Sequence, residues 1–184
     1  MARIYIVRHG KAEAGFGEGM DPGLDALGRS QALSVAEKLK GLGPLPILSS
    51  PLRRTQETAQ PLARIWNRQP VIEAAVAEIP SPKGMTLEAR AQWLRKLMAG
   101  SWRSVPADLA EWREACIATV SNITQDTVIF SHYVALNVIA GAALGDDRVV
   151  TFSPDNCSVT ILESGASKLS LIEKGGEAPL TKVN

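Results

Sequence analysis

Ile4-Tyr5-Ile6-Val7 is an unbroken run of β-favouring residues that ends abruptly in Arg8-His9-Gly10. A run without polar alternation fits a strand covered on both faces, as in the middle of a parallel sheet sandwiched between helices. The pattern recurs at Thr127-Val128-Ile129-Phe130, which is followed by Ser131-His132. In open α/β sheets ligands gather outside the carboxyl ends of the strands, and the chain's two histidines emerge at two such ends. If the two strands are neighbours, the imidazoles stand little more than the strand spacing of about 4.8 Å apart.

The rest of the chain alternates strand and helix patterns, the signature of βαβ units. A helix is expected from about Gly28 to Lys40, ended by Gly41 and Gly43-Pro44. Ile47-Leu48 reads as a short strand, and Ser50-Pro51 as the N-cap and first residue of a second helix. Leu52, Thr55, Ala59, Leu62 and Trp66 give that helix its inner face. Val71-Ile72 is a third short strand. Two helical patterns then fill residues 79–123, one on Leu87, Ala91, Leu94, Leu97 and Met98, the other on Leu109, Trp112, Cys116, Ile117 and Val120. Tyr133 to Leu144 is an apolar, buried helix. Val159 to Leu162 and Leu169 to Ile172 form a terminal hairpin around Gly165, with a loose tail after Lys174. The expectation is a single domain over residues 1–184, of the α/β class. Its central sheet is mostly parallel, with helices on both faces in three layers, and residues 79–123 form a helical insertion within it.

Composition narrows the function classes. Hydrophobic residues make up 45% and charged residues 21% of the 184, which is globular. A net charge of +1 gives no reason to expect nucleic acid or an anionic membrane as partner. The apolar start stops at Val7, too short for a signal peptide, and no stretch approaches the roughly 20 apolar residues of a membrane span. Cys116 and Cys157 have no CxxC spacing and read as reduced, partly buried thiols, so a cytoplasmic protein is expected. With two histidines and no clustered cysteines, neither a metal nor another cofactor is expected. Gly15-Phe16-Gly17-Glu18-Gly19 fails as a dinucleotide loop, because Met20 replaces the third glycine and Asp21-Pro22-Gly23 follows instead of a helix. It reads as a mobile loop beside the site. Trp93, Trp102 and Trp112 read as core.

Arg53 and Arg54 sit in the first turn of the second helix, beside the positive end of its dipole. That placement costs about 0.3–1 kcal/mol each unless an anion reverses the sign. Free amides and a guanidinium at a helix start form a natural phosphate site, with Arg54 as its member and Arg53 as a surface cation.

Arg8-His9-Gly10, Ser50-Pro51-Leu52-Arg53-Arg54-Thr55-Gln56-Glu57-Thr58-Ala59 and Phe130-Ser131-His132 together resemble the histidine phosphatase superfamily, in its larger, phosphoglycerate-mutase-like branch. Leu24 to Ala32 is similar to the family's helix entry, and Asn156-Cys157-Ser158-Val159 to its last-strand motif. The resemblance implies that His9 is a nucleophile that becomes phosphorylated, with Arg8, Arg54 and His132 completing the phosphate pocket. It also implies a general acid shortly after the third strand. Glu78 matches that position best, and Glu73 is its rival. Many members continue Arg-His-Gly with Glu-Thr or Glu-Ser and an asparagine; here Lys11-Ala12-Glu13-Ala14-Gly15 follows, with Gly15 in the asparagine's place. The expected activity is hydrolysis of a small phosphomonoester by a phosphatase. The alternatives are phosphoglycerate-mutase-type transfer, protein phosphohistidine hydrolysis and, from another class, a non-catalytic anion-binding module. Specificity is expected to reside in residues 80–122.

Overall fold

The computed structural model describes residues 1–14, 21–165 and 168–179. One sheet organises them, in the strand order β3-β2-β4-β1-β5-β6. Its strands are β1 (Ala2–Arg8), β2 (Ile47–Ser49), β3 (Val71–Ile72), β4 (Thr127–Ser131), β5 (Val159–Gly165) and β6 (Lys168–Glu173). β3, β2, β4 and β1 pair in parallel, while β5 joins β1 and β6 joins β5 antiparallel. The two unalternating runs are therefore neighbours, with Val7 opposite Phe130 and Arg8 opposite Ser131.

Alternation along these strands separates two cores. Ile4, Ile6 and Ile129 face one cluster, while Tyr5, Val7, Val128 and Phe130 face the other. Helices α1 (Ala26–Leu39) and α2 (Arg53–Trp66) cover the second through Val35, Ala36, Ala59 and Leu62. On the opposite face lie α3 (Leu87–Met98), α4 (Ala107–Ser121) and α5 (Tyr133–Leu144). Every residue of α5 from Tyr133 to Gly141 is buried, as its apolar sequence requires. Leu94 of α3 and Leu109, Cys116 and Val120 of α4 share one cluster with Ile4 and Ile129, so the helical insertion packs into the common core. Trp102 is buried there too, and Trp93 and Trp112 pack against it. Each fully buried aliphatic side chain of this kind contributes about 1.5–3 kcal/mol. No helix among the described residues is long and apolar enough to cross a membrane.

Three local expectations are corrected. α1 starts at Ala26, ahead of Gly28, because the Asp25 carboxylate accepts from the Gly28 amide at 2.7 Å and caps the helix. α2 starts at Arg53, not Pro51, and its N-cap Leu52 has no capping side chain. Ser50 lies two residues before the cap, with its hydroxyl beside His132 Nε2. The described segment after Lys174 is not loose: Asp155 N–H donates to Gly176 O and Ala178 N–H to Ser153 O, each at 2.8 Å, and Ala178 is buried. The glycine-rich loop falls largely outside the described residues, with an Ala12–Leu24 bridge at its base.

Candidate active site

The parallel register of β1 and β4 carries His9 and His132 out of the sheet side by side. His9 N–H donates to Ser131 O at 3.0 Å, and the ring centroids are 5.2 Å apart with the planes inclined at 61°. His9 is only 5% exposed and His132 is fully buried. The next strand end, that of β2, adds Ser50, whose Oγ lies 2.8 Å from His132 Nε2.

His9 is held from several directions. Its Nδ1 lies 2.7 Å from Gly10 O, a geometry in which a protonated Nδ1 donates to the carbonyl and leaves the lone pair on Nε2. Asn156 Nδ2 donates to His9 O at 2.9 Å, tying the residue to the loop before β5. Gly10 N–H donates to Thr58 Oγ1 at 3.0 Å, and Thr58 in turn donates to Arg54 O at 2.6 Å. Arg54, in the first turn of α2, reaches back so that its Nε–H donates to His9 Nε2 at 3.2 Å. Arg8 donates from Nη1 to Pro154 O at 2.8 Å, and its guanidinium lies over the Tyr133 ring at 5.1 Å. Burial, reinforced by Arg54 and Arg8, holds the His9 imidazole well below its ordinary 6.5. Burial also depresses His132, with His9, Arg54 and Arg8 adding to the effect. Both rings are therefore neutral near pH 7.

Glu78 enters the same region from the segment after β3. Its Oε1 accepts from Ile79 N–H at 3.0 Å, Val134 N–H at 3.2 Å and Ala135 N–H at 3.3 Å. The amides lower its pKa, as does Arg54, but burial outweighs them and pushes the carboxyl above its ordinary 4.5. Its charge is felt by both Arg8 and Arg54. Glu73 instead accepts from Ala75 N–H at 2.9 Å, capping a short turn over Ala74–Val76. The free amides of Val134 and Ala135 at the start of α5 are thus directed at Glu78.

Arg8, His9, Arg54, His132 and Glu78 come together as expected. Arg53 does not; it points outward and pairs with Glu57 at 2.7 Å. The sequence reading missed the supporting side chains. Ser50 reads from sequence as a cap, although its place at a strand end beside the histidines is the available signal. Thr58 and Asn156 lie inside motifs already singled out. Arg90 of α3 donates to Ser81 Oγ and raises the positive potential at Arg54, and helical periodicity alone does not distinguish it from any surface arginine. Among the described residues, no group of three His, Cys, Asp or Glu side chains gathers as a metal site requires.

Such an arrangement offers a neutral, oriented imidazole among cationic donors, with a protonatable carboxyl close by. Phosphoryl transfer needs these elements, because its charge spreads over three equatorial oxygens. Comparison with known proteins points the same way. The sequence profile of the histidine phosphatase superfamily (branch 1) matches residues 4–174. A protein named "Probable phosphoglycerate mutase GpmB" from Salmonella arizonae is 29% identical over 164 residues, covering 79% of this chain and 76% of its own length. Phosphoserine phosphatase from Entamoeba histolytica, solved with 3-phosphoglyceric acid, superposes with a TM-score of 0.75 at 22% identity, covering 96% of this chain and 98% of its own. The mycobacterial glucosyl-3-phosphoglycerate phosphatase, solved with VO3, does so with a TM-score of 0.72 at 22% identity, covering 96% and 100%. The match of nearly the whole chain to the family profile, carried on this fold, makes the protein a member of the histidine phosphatase superfamily, branch 1.

Proposed function

We propose that the protein is a phosphatase that hydrolyses a small phosphomonoester through a phosphohistidine on His9. The observation that carries this reading is the fixed tautomer of His9, whose Nδ1 is spent on Gly10 O at 2.7 Å so that Nε2 is the nucleophilic atom. In the first step Nε2 bonds to phosphorus while the ester P–O bond breaks. Arg8, Arg54 and His132 hold the phosphoryl oxygens, and Arg54 exchanges its contact with Nε2 for one with the incoming group. Glu78 gives its proton to the leaving oxygen. In the second step Glu78, now a carboxylate, takes a proton from water as the water oxygen bonds to phosphorus and the N–P bond breaks, which returns both residues to their starting state.

The partner in this scheme is a small phosphorylated molecule. No cofactor, nucleic acid or membrane enters it, and two free, buried thiols suit a cytoplasmic setting. The phosphatases among the structural neighbours support hydrolysis. A mutase reading has one observation in its favour, the name of the curated relative. A mutase must keep water from its intermediate, and Gly15 stands where the family's mutases have an asparagine beside the phosphate. We therefore expect a screen of phosphorylated metabolites to find substrates that release one free phosphate per molecule consumed, with no stimulation by bisphosphoglycerate. Isomerised monophosphate without net phosphate release would transfer the assignment to the mutase.

A further inference from the structure

The neutral imidazole of His132 has one proton and two nitrogens, and the nitrogen that carries the proton decides what the ring offers an anion. Ser50 and His132 are both completely buried, so the protons shared between them can be counted. Ser50 Oγ accepts from Leu52 N–H at 3.2 Å, which uses a lone pair and leaves the hydroxyl proton to be placed. His132 Nε2, 2.8 Å away, is the acceptor within reach among the described residues. The opposite arrangement, with Nε2–H donating to Oγ, strands the hydroxyl proton in a buried site and leaves a bare lone pair on Nδ1. His132 Nδ1 is itself buried and has no hydrogen-bond partner. It belongs to the ring packed edge-on against His9.

We propose that Ser50 is a positioning residue: its hydroxyl donates to His132 Nε2, fixing the ring proton on Nδ1 and making Nδ1–H the donor that His132 presents to the phosphoryl oxygens. The two neighbouring imidazoles then carry their protons on the same atom, Nδ1, but serve opposite ends. Gly10 O occupies Nδ1–H of His9 and frees a lone pair for attack, whereas Ser50 occupies the lone pair of His132 and frees an N–H for binding. An N–H donor placed by tautomer needs no added positive charge. That matters because Arg8 at the end of β1, His9 just after it and Arg54 of α2 all oppose protonation of His132, while Glu78 is held by the Val134 and Ala135 amides and Asp155 acts on Arg8. The role of Nδ1–H toward substrate rests on the phosphatase reading above, whereas the tautomer does not.

Long-range proton–nitrogen correlation spectra of the tag-free, nitrogen-15-labelled protein read the tautomer directly. With two histidines in the chain, His9→Gln leaves His132 as the one imidazole to assign. At pH 7.5 the expected result is a protonated Nδ1 and a bare Nε2 on His132, retained in Ser50→Thr and reversed in Ser50→Ala. A wild-type His132 that carries its proton on Nε2, or on both nitrogens, overturns the proposal even if Ser50→Ala fails to fold. Kinetics supply a second reading. Ser50→Ala turns a lone pair toward the phosphoryl group and should lower kcat/KM by about 100-fold at pH 8. Ser50→Thr, which keeps a hydroxyl to donate to Nε2, should recover most of that loss. A deficit that Ser50→Thr does not relieve, in a variant whose tautomer matches wild type, marks a merely structural serine and rejects the proposal. A protein with the expected tautomer but no phosphomonoesterase activity would defeat the phosphatase reading alone.

Discussion

Two glutamates stand within reach of the acid role, and their surroundings separate them. Glu73 is engaged in capping a turn, while Glu78 is buried against the arginine-rich pocket with its pKa raised, as a proton donor near neutrality requires. Glu78→Gln keeps an oxygen for the Val134 and Ala135 amides, so α5 should stay in place while the transferable proton is lost. With alkyl phosphates, whose leaving oxygen needs that proton, kcat should fall about 100-fold or more. With p-nitrophenyl phosphate, whose phenolate leaves unaided, the change should stay within about fivefold by the same reasoning. Steady-state kinetics on both substrates checks this, and equal slowing of the two would assign the proton to another carboxylate.

At the scale of elements, the site depends on how closely α1 lies against the loop that carries His9. A Cβ on Gly28 would fall 2.1 Å from Lys11 O, the same oxygen that accepts from Asp25 N–H at 3.0 Å. A Cβ on Gly10 would lie 2.6 Å from Gly28 O. Both contacts are backbone to backbone, so no rotamer relieves them. Gly28→Ala should cost about 1–3 kcal/mol in urea unfolding and depress activity by shifting residues 9–11. Unchanged stability would show that the helix tolerates retreat. The same scale explains what was legible in the sequence. Residues 4–10 and 127–132 declared themselves because unalternating strands have one place in a sheet, and whatever follows them is delivered to its edge. Ser-Pro is an equally good helix opening and strand exit, so local preference puts the start of α2 two residues early. Local preference does not record that Ser50 is drawn to a histidine 82 positions away. The fixed segment after Lys174 escaped for the same reason, its partners lying at Ser153 and Asp155.

For the whole molecule, two buried neutral histidines make stability depend on pH. Their folded-state values lie below 6.5, so below that pH the unfolded chain takes up protons that the folded chain refuses. Stability is complete above pH 6.5 and falls beneath it, at up to about 1.4 kcal/mol per pH unit for each ring. Glu78 acts in the opposite sense. Its folded-state value lies above 4.5, so between the two the folded chain holds a proton the unfolded chain lacks, which offsets part of the loss. In phosphate-free buffer the urea midpoint should be level from pH 7 to 8.5 and decline from pH 6.5 to 5, and His132→Asn should flatten the decline. A midpoint that stays constant down to pH 5 would mean that the rings are not buried neutral.

The central claim is that His9 Nε2 becomes covalently phosphorylated. Millisecond mixing with a labelled substrate, quenched in alkali, tests it most directly. The account predicts up to one phosphoryl group per chain, stable in alkali and labile in acid, located on His9 by peptide mapping and absent from His9→Ala. Label on a serine, aspartate or cysteine, or turnover that persists in His9→Ala, would contradict it.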